Sequence, residues 1–191
     1  MAFTLPVPSP RPPSDDGGTA WWYEHRLGWA TAQGGAPGSV ELLTGLRFDV
    51  LELPAAAGHA VLRRLGGRSP VALAGRRMRL LVAAGAADEL PGLLDWLEWG
   101  GIALDLTVLG AGDRTAAPVP PGRSGPGSPG AVSWLRPPVP GREVEPTLPA
   151  MSALGGGAGA PDLVRLVDAA AAECHRVRLL GAVRAQRLAS S

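Results

Sequence analysis

The chain has 191 residues, a formal net charge of +1 and 46% apolar residues, which allows one domain with a real core plus appendages. A balance this close to neutral excludes a globally electropositive nucleic-acid binder while leaving a local patch open. One cysteine, Cys174, excludes an internal disulfide and any multi-cysteine zinc site. All 18 basic residues are arginine and lysine and asparagine are absent, the signature of a GC-rich coding bias, so arginine in place of lysine carries no functional weight by itself. The N-terminus has neither a basic n-region nor a long apolar h-region. No apolar run reaches the ~18–20 residues of a membrane span. The expectation is a cytoplasmic protein with no membrane partner.

Of the 27 glycines and 20 prolines, 7 fall in residues 1–18 and 22 in residues 110–161, which places the compact part elsewhere. Residues 1–18 read as a flexible proline-rich tail. "TAWWYEHRLG" is a short helix that Thr19 can cap and Gly28 stops, and Trp29 leads into an extended piece. "SVELLTG" is a short helix or a strand. "RFDVLELP" is the clearest strand, and Pro54 prevents its continuation. "AAAGHAVLRRLGG" is a helix with a double-glycine exit. "SPVALAG" and "RMRLLVAAG" are two strands turning at Gly75-Arg76.

"AADELPGLLDWLEWGG" is a helix with Asp88 and Glu89 at its positive end and Leu90, Leu93, Leu94 and Leu97 on one face. Pro91 sits near its first turn. "IALDLTVLGAG" and "AVSWLRPP" are further strands, separated by a loop over 118–130. A glycine-rich linker covers 150–160. An amphipathic helix follows over 161–189, with Leu163, Leu166, Val167, Ala170, Cys174 and Val177 on one stripe. The body, 19–149, is expected to be an α/β (α+β) domain built on one mixed sheet with flanking helices.

Asp49 and Glu52 in "RFDVLELP" raise the possibility of a metal site at a strand end. Side chains alternate along a strand, so Asp49 faces with Leu51 and Leu53 while Glu52 faces with Phe48 and Val50. In regular geometry the two carboxylates cannot chelate one ion.

From Ala20 to Pro138 the order and spacing of "AWWYEHRLGWAT", "FDVLELP", "VALAGRRMRLLV", "LDLTVLGAGDRTAAPVPP" and "AVSWLRPP" resemble the N-terminal primase–polymerase domain of bifunctional DNA primase/polymerases, in the short, diverged form carried by actinobacteria. The resemblance implies a catalytic site with three motifs. The first, a strand ending in Asp-x-Asp, falls on Glu52-Leu53-Pro54, where Pro54 cannot supply the second carboxylate. The second, a histidine in the hairpin, is expected within Gly75–Arg79, where "GRRMR" has none. The third, an acid in a hydrophobic strand, is matched by Asp105. Catalysis by this outline would use Glu52 and Asp105, with Asp49 as a further acid, and magnesium or manganese held by Glu52 and Asp105.

Arg63, Arg64, Arg68, Arg76, Arg77 and Arg79 lie between Glu52 and Asp88 with no acid among them. Arg77 and Arg79 share a strand face. Arginine forks suit phosphate, so Arg63, Arg64, Arg76, Arg77 and Arg79 are candidates for nucleotide or nucleic-acid contact. Trp96 and Trp99, three apart, fit one packed helix edge, and one of Trp21 and Trp22 is expected to stay partly exposed. His25, His59 and His175 have no ligand spacing, and Cys174 reads as a small core residue. Three functions therefore stand: a catalytically degenerate primase–polymerase-like domain retaining nucleotide or nucleic-acid contact, an active metal-dependent nucleotidyltransferase, or an interaction module that meets a protein partner through its last helix.

Overall fold

The computed structural model describes residues 15–123, 132–151 and 162–189. Its centre is β3 (Asp49–Pro54), α2 (Ala55–Leu65), β4 (Val71–Ala74), β5 (Arg77–Val82), α3 (Ala86–Trp96) and β6 (Thr107–Leu109). With β8 (Val132–Arg136) at one edge, these strands form a five-stranded sheet in the order β6-β3-β5-β4-β8. Each helix connects two strands that run the same way with a third, opposed strand between them. That is the split β-α-β arrangement of ferredoxin-like folds. Every neighbouring pair is consequently antiparallel.

The α+β class stands, but the strands divide into two antiparallel sheets rather than one mixed sheet. The second holds β1 (Thr31–Gln33), β2 (Val40–Leu43) and β7 (Arg114–Ala116) in the order β1-β2-β7. It resolves "SVELLTG" as strand. β7 falls between the expected strand "IALDLTVLGAG" and the expected loop over 118–130, because Arg-Thr-Ala carries no apolar alternation to mark a three-residue strand. At the N-terminus α1 (Asp15–Trp22) starts inside the segment read as tail and runs on as a π-turn over Tyr23–Leu27, which Gly28 ends at φ 67. Thr19 is within α1 rather than at its cap. Pro91 is the sixth residue of α3, an interior position rather than the first turn. The rest of the tail, the loop from 124 and the linker from 152 to 160 lie outside the described residues.

The five-stranded sheet separates two cores. On one face Leu51, Leu53, Val71, Met78, Leu80 and Val82 pack against α2, α3 and α4 (Leu163–Ala189). Gly58 in α2 is required there, since a Cβ would strike the Met78 side chain. On the other face Val50, Phe48 and Leu81 meet Tyr23, Trp29 and Leu42. Tyr23 is fully buried; its hydroxyl donates to the Pro118 carbonyl at 2.7 Å and accepts from Trp134 Nε1 at 3.0 Å. Each such buried side chain contributes about 1.5–3 kcal/mol.

The last helix docks on its own domain. Asp162 Oδ1 accepts the Val164 N–H at 2.9 Å, capping α4. The stripe from Leu163 to Cys174 is buried, with Val177 partly so.

Asp49 takes the helix face of β3 and is 1% exposed. Its Oδ2 accepts the Ala87 N–H at 2.9 Å. Gly85, the residue before α3, has no side chain to cap it. Asp49 therefore supplies, from a neighbouring strand, the carboxylate that the start of α3 lacks. Asp49→Ala should cost about 1–2 kcal/mol in urea denaturation, with amide exchange fastest in the first turn of α3. An unchanged midpoint would remove this role.

Candidate functional site

The register of β3 against β5 decides what the acids can do. Glu52 is the direct partner of Arg79 and Pro54 the partner of Arg77. Glu52 also pairs with Thr107, Arg79 with Ala72, and Ala72 with Trp134. One row of side chains thus crosses the sheet on the face away from α2 and α3: Thr107, Glu52, Arg79, Ala72, Trp134.

Glu52 is gripped from both sides. Arg79 Nε donates to its Oε2 at 2.7 Å and Arg77 Nε to its Oε1 at 3.0 Å. Arg77 Nη1 then donates to Asp105 Oδ1 at 2.5 Å. One guanidinium therefore stands between the two carboxylates that the resemblance nominated as metal ligands. Asp105 itself sits in the turn just before β6, and its side chain is largely exposed. The hairpin residues that face the acids are Arg77 and Arg79, while Met78 between them turns into the helix-side core. Asp49 lies on the opposite sheet face and does not join the group. Among the described residues, no cluster of three or more His, Cys, Asp or Glu is placed to hold a metal ion.

The nominated arginines do not form one patch. Arg77 and Arg79 are engaged in the network. Arg63 and Arg64 are exposed in the last turn of α2, on the helix side of the sheet. Arg76 is exposed in the hairpin turn at the other end of α2, where its carbonyl accepts the Ala55 N–H at 2.8 Å.

A narrow pocket opens beside Arg79, between the two sheets, walled by Leu42, Phe48, Val50 and Trp134 with Thr115 at its edge. Arg79 Nη1 and Thr115 Oγ1 are both buried there without a protein partner. The enclosed space admits one water-sized molecule, which is too little for a nucleotide. Thr115 carries no sequence signal, because the short segment Arg114–Ala116 has no apolar alternation to mark it as strand. Cys174 is fully buried in the helix-side core, and desolvation pushes its thiol up to about 12, which suits a core residue and not a nucleophile. Trp96 departs from the packed-edge reading: it is 71% exposed, whereas Trp99 turns back to donate to Asp168 Oδ1 at 3.1 Å.

Burial alone would raise the Glu52 carboxyl, but the hydrogen bonds from Arg79 and Arg77, with their charge, outweigh it and hold the group below the usual carboxylate range. A carboxyl held low in the folded state contributes stability that is complete above its unfolded value and is lost as pH falls through its folded value. Wild type and Glu52→Gln should therefore differ by roughly 2–3 kcal/mol at neutral pH, somewhat under the loss for a fully buried pair. Urea titrations should find the two proteins converging as the pH drops below the carboxylate range. A gap that persists in acid would assign the effect to packing instead of charge.

No family model, curated protein or solved structure matches this chain.

Proposed function

We propose that the chain is a primase–polymerase-like domain without nucleotidyl transfer, acting as a binding module that keeps contact with nucleic-acid phosphates. One observation carries this reading: Arg77 occupies the gap between Glu52 and Asp105. Two-metal phosphoryl transfer needs carboxylates free to coordinate cations on one side and the substrate's oxygens on the other. Here Glu52 has both oxygens committed to guanidinium groups. A metal entering this site would have to displace one or both arginines. The missing second carboxylate at Pro54 and the missing hairpin histidine point the same way.

The phosphate contact is assigned to Arg63, Arg64 and Arg76, which remain exposed at the two ends of α2 and have no acid near them in sequence. Arg63 lies about 12 Å along α2 from Ala55, the residue beside Arg76, at 1.5 Å per residue, a span suited to an extended single strand more than to one triphosphate.

Two titrations test the reading. Calorimetry with a deoxynucleoside triphosphate and manganese should give no heat beyond the metal-only control, and primer extension should be absent. Heat abolished by both Glu52→Ala and Asp105→Ala, accompanied by extension, would establish the active enzyme instead. Fluorescence anisotropy with labelled single-stranded DNA should show binding whose log–log salt slope is about −2, as three neutralised phosphates require. Replacing Arg63 and Arg64 by glutamate should abolish it; binding indifferent to those changes would remove them from the site.

A further inference from the structure

Two helix surfaces of this chain expose large apolar side chains among charges of opposite sign. The first is the end of α4. Beyond Val177 every position whose side chain is described is exposed. Arg176, Leu179, Leu180 and Val183 follow the i, i+3, i+4, i+7 spacing of one helix face, with Arg176 exposed and 4.0 Å from Glu173 on its own helix. Leu179, Leu180 and Val183 are 52%, 63% and 48% exposed. After Glu173 the chain has four arginines and no acid.

The second surface is the outward face of α3. Asp88, Glu89, Gly92, Asp95 and Trp96 share it, at i, i+1, i+4, i+7 and i+8. From Leu80 to Asp113 there are six acids and no arginine. Asp88, Glu89 and Asp95 are exposed, and no ion pair among the described residues engages them. Trp96, 71% exposed, stands among them. A Cβ on Gly92 would meet nothing within 4 Å among the described residues, so their packing does not require that glycine, which disfavours a helix interior by about 1 kcal/mol relative to alanine. It leaves a notch beside Trp96.

We propose that the distal half of α4 docks on the α3 face of a second copy of this chain. Charge selects that pairing. Two α4 ends would bring arginines together and two α3 faces would bring carboxylates together, whereas α4 on α3 joins opposite signs around an apolar centre of Leu179, Leu180, Val183 and Trp96. The chain cannot satisfy itself. The first half of α4 is fixed in the helix layer, and Arg178 anchors its midpoint by donating from Nη1 to the Ala103 carbonyl at 2.5 Å. The remainder extends away from the core. Reciprocal exchange between two copies closes a two-fold dimer with both contacts made twice. This proposal is independent of the reading of Glu52 and Asp105.

The test is sedimentation equilibrium of the full chain across a concentration series. The expected result is a monomer–dimer equilibrium that weakens as salt rises. Leu180→Glu and Trp96→Ala alter exposed side chains, and circular dichroism should confirm that both variants fold. Each should raise the dissociation constant by at least ~10-fold. Mixing the two variants regenerates one intact contact per heterodimer, so the mixture should associate more strongly than either variant alone. A wild type that stays monomeric to about 0.2 mM would overturn the proposal. So would a dimer indifferent to both substitutions, or a mixture no stronger than its components.

Discussion

The structure turns on β3. It is an inner strand of the five-stranded sheet, paired with β5 over six residues and with β6 over three. It also carries two acids three positions apart, which a strand must send to opposite faces. Asp49 goes into the helix layer and holds the start of α3; Glu52 goes to the other face and holds two arginines of β5. A one-residue slip in register would bury Glu52 among leucines and carry Asp49 to the opposite face. The two carboxylates therefore contribute to specifying the register of the central pair as well as to stabilising it.

The same geometry bears on chemistry. Guanidinium and metal cations answer the same need of a carboxylate, but a guanidinium is covalently tethered and offers no open coordination position. Once Arg77 and Arg79 occupy Glu52 from two directions, the site is a closed electrostatic clasp between β3, β5 and the turn before β6. Split β-α-β folds host many unrelated activities, so the topology does not assign one. Function must be argued from side chains, and here the side chains face each other.

Much of this fold was legible in the sequence because its signals are local. The strand "RFDVLELP", the hairpin at Gly75-Arg76, the Gly28 stop and the apolar stripes of α3 and α4 each announce themselves within a dozen residues. The alternation rule also placed Asp49 and Glu52 on opposite faces. What stayed hidden was long-range. Arg77 and Arg79 could be seen to share a face, but not that Glu52 is their partner across the sheet, because register is a property of two strands together. β7 is three residues long and lacks an apolar pattern. The partition into two sheets depends on β2 pairing with β7, more than 70 residues later. Trp96 was assigned to the core from its distance to Trp99, yet the helix ends at Trp96. Past that point the chain turns through Glu98 at φ 64, so Trp96 and Trp99 no longer lie on one face.

A net charge of +1 conceals how unevenly the charge is laid out. Six arginines and no acid lie between Glu52 and Asp88, six acids and no arginine occupy Leu80 to Asp113, and four arginines close the chain after Glu173. Such blocks raise the self-repulsion of each local surface, so a stable fold must bring opposite blocks together or leave them to solvent. At the sheet face the fold brings them together: Arg77 and Arg79 from the first block meet Glu52 and Asp105. Around Trp96 it does not, and Glu98, the one non-glycine residue at positive φ among the described residues, adds a further carboxylate where glycine would relieve strain. The chain thus joins opposite blocks at the sheet face, while the α3 face and the end of α4 expose apolar side chains among charges of opposite sign. In each, exposed apolar surface sits among charges of a single sign, so two equivalent faces repel one another where the two unlike faces attract.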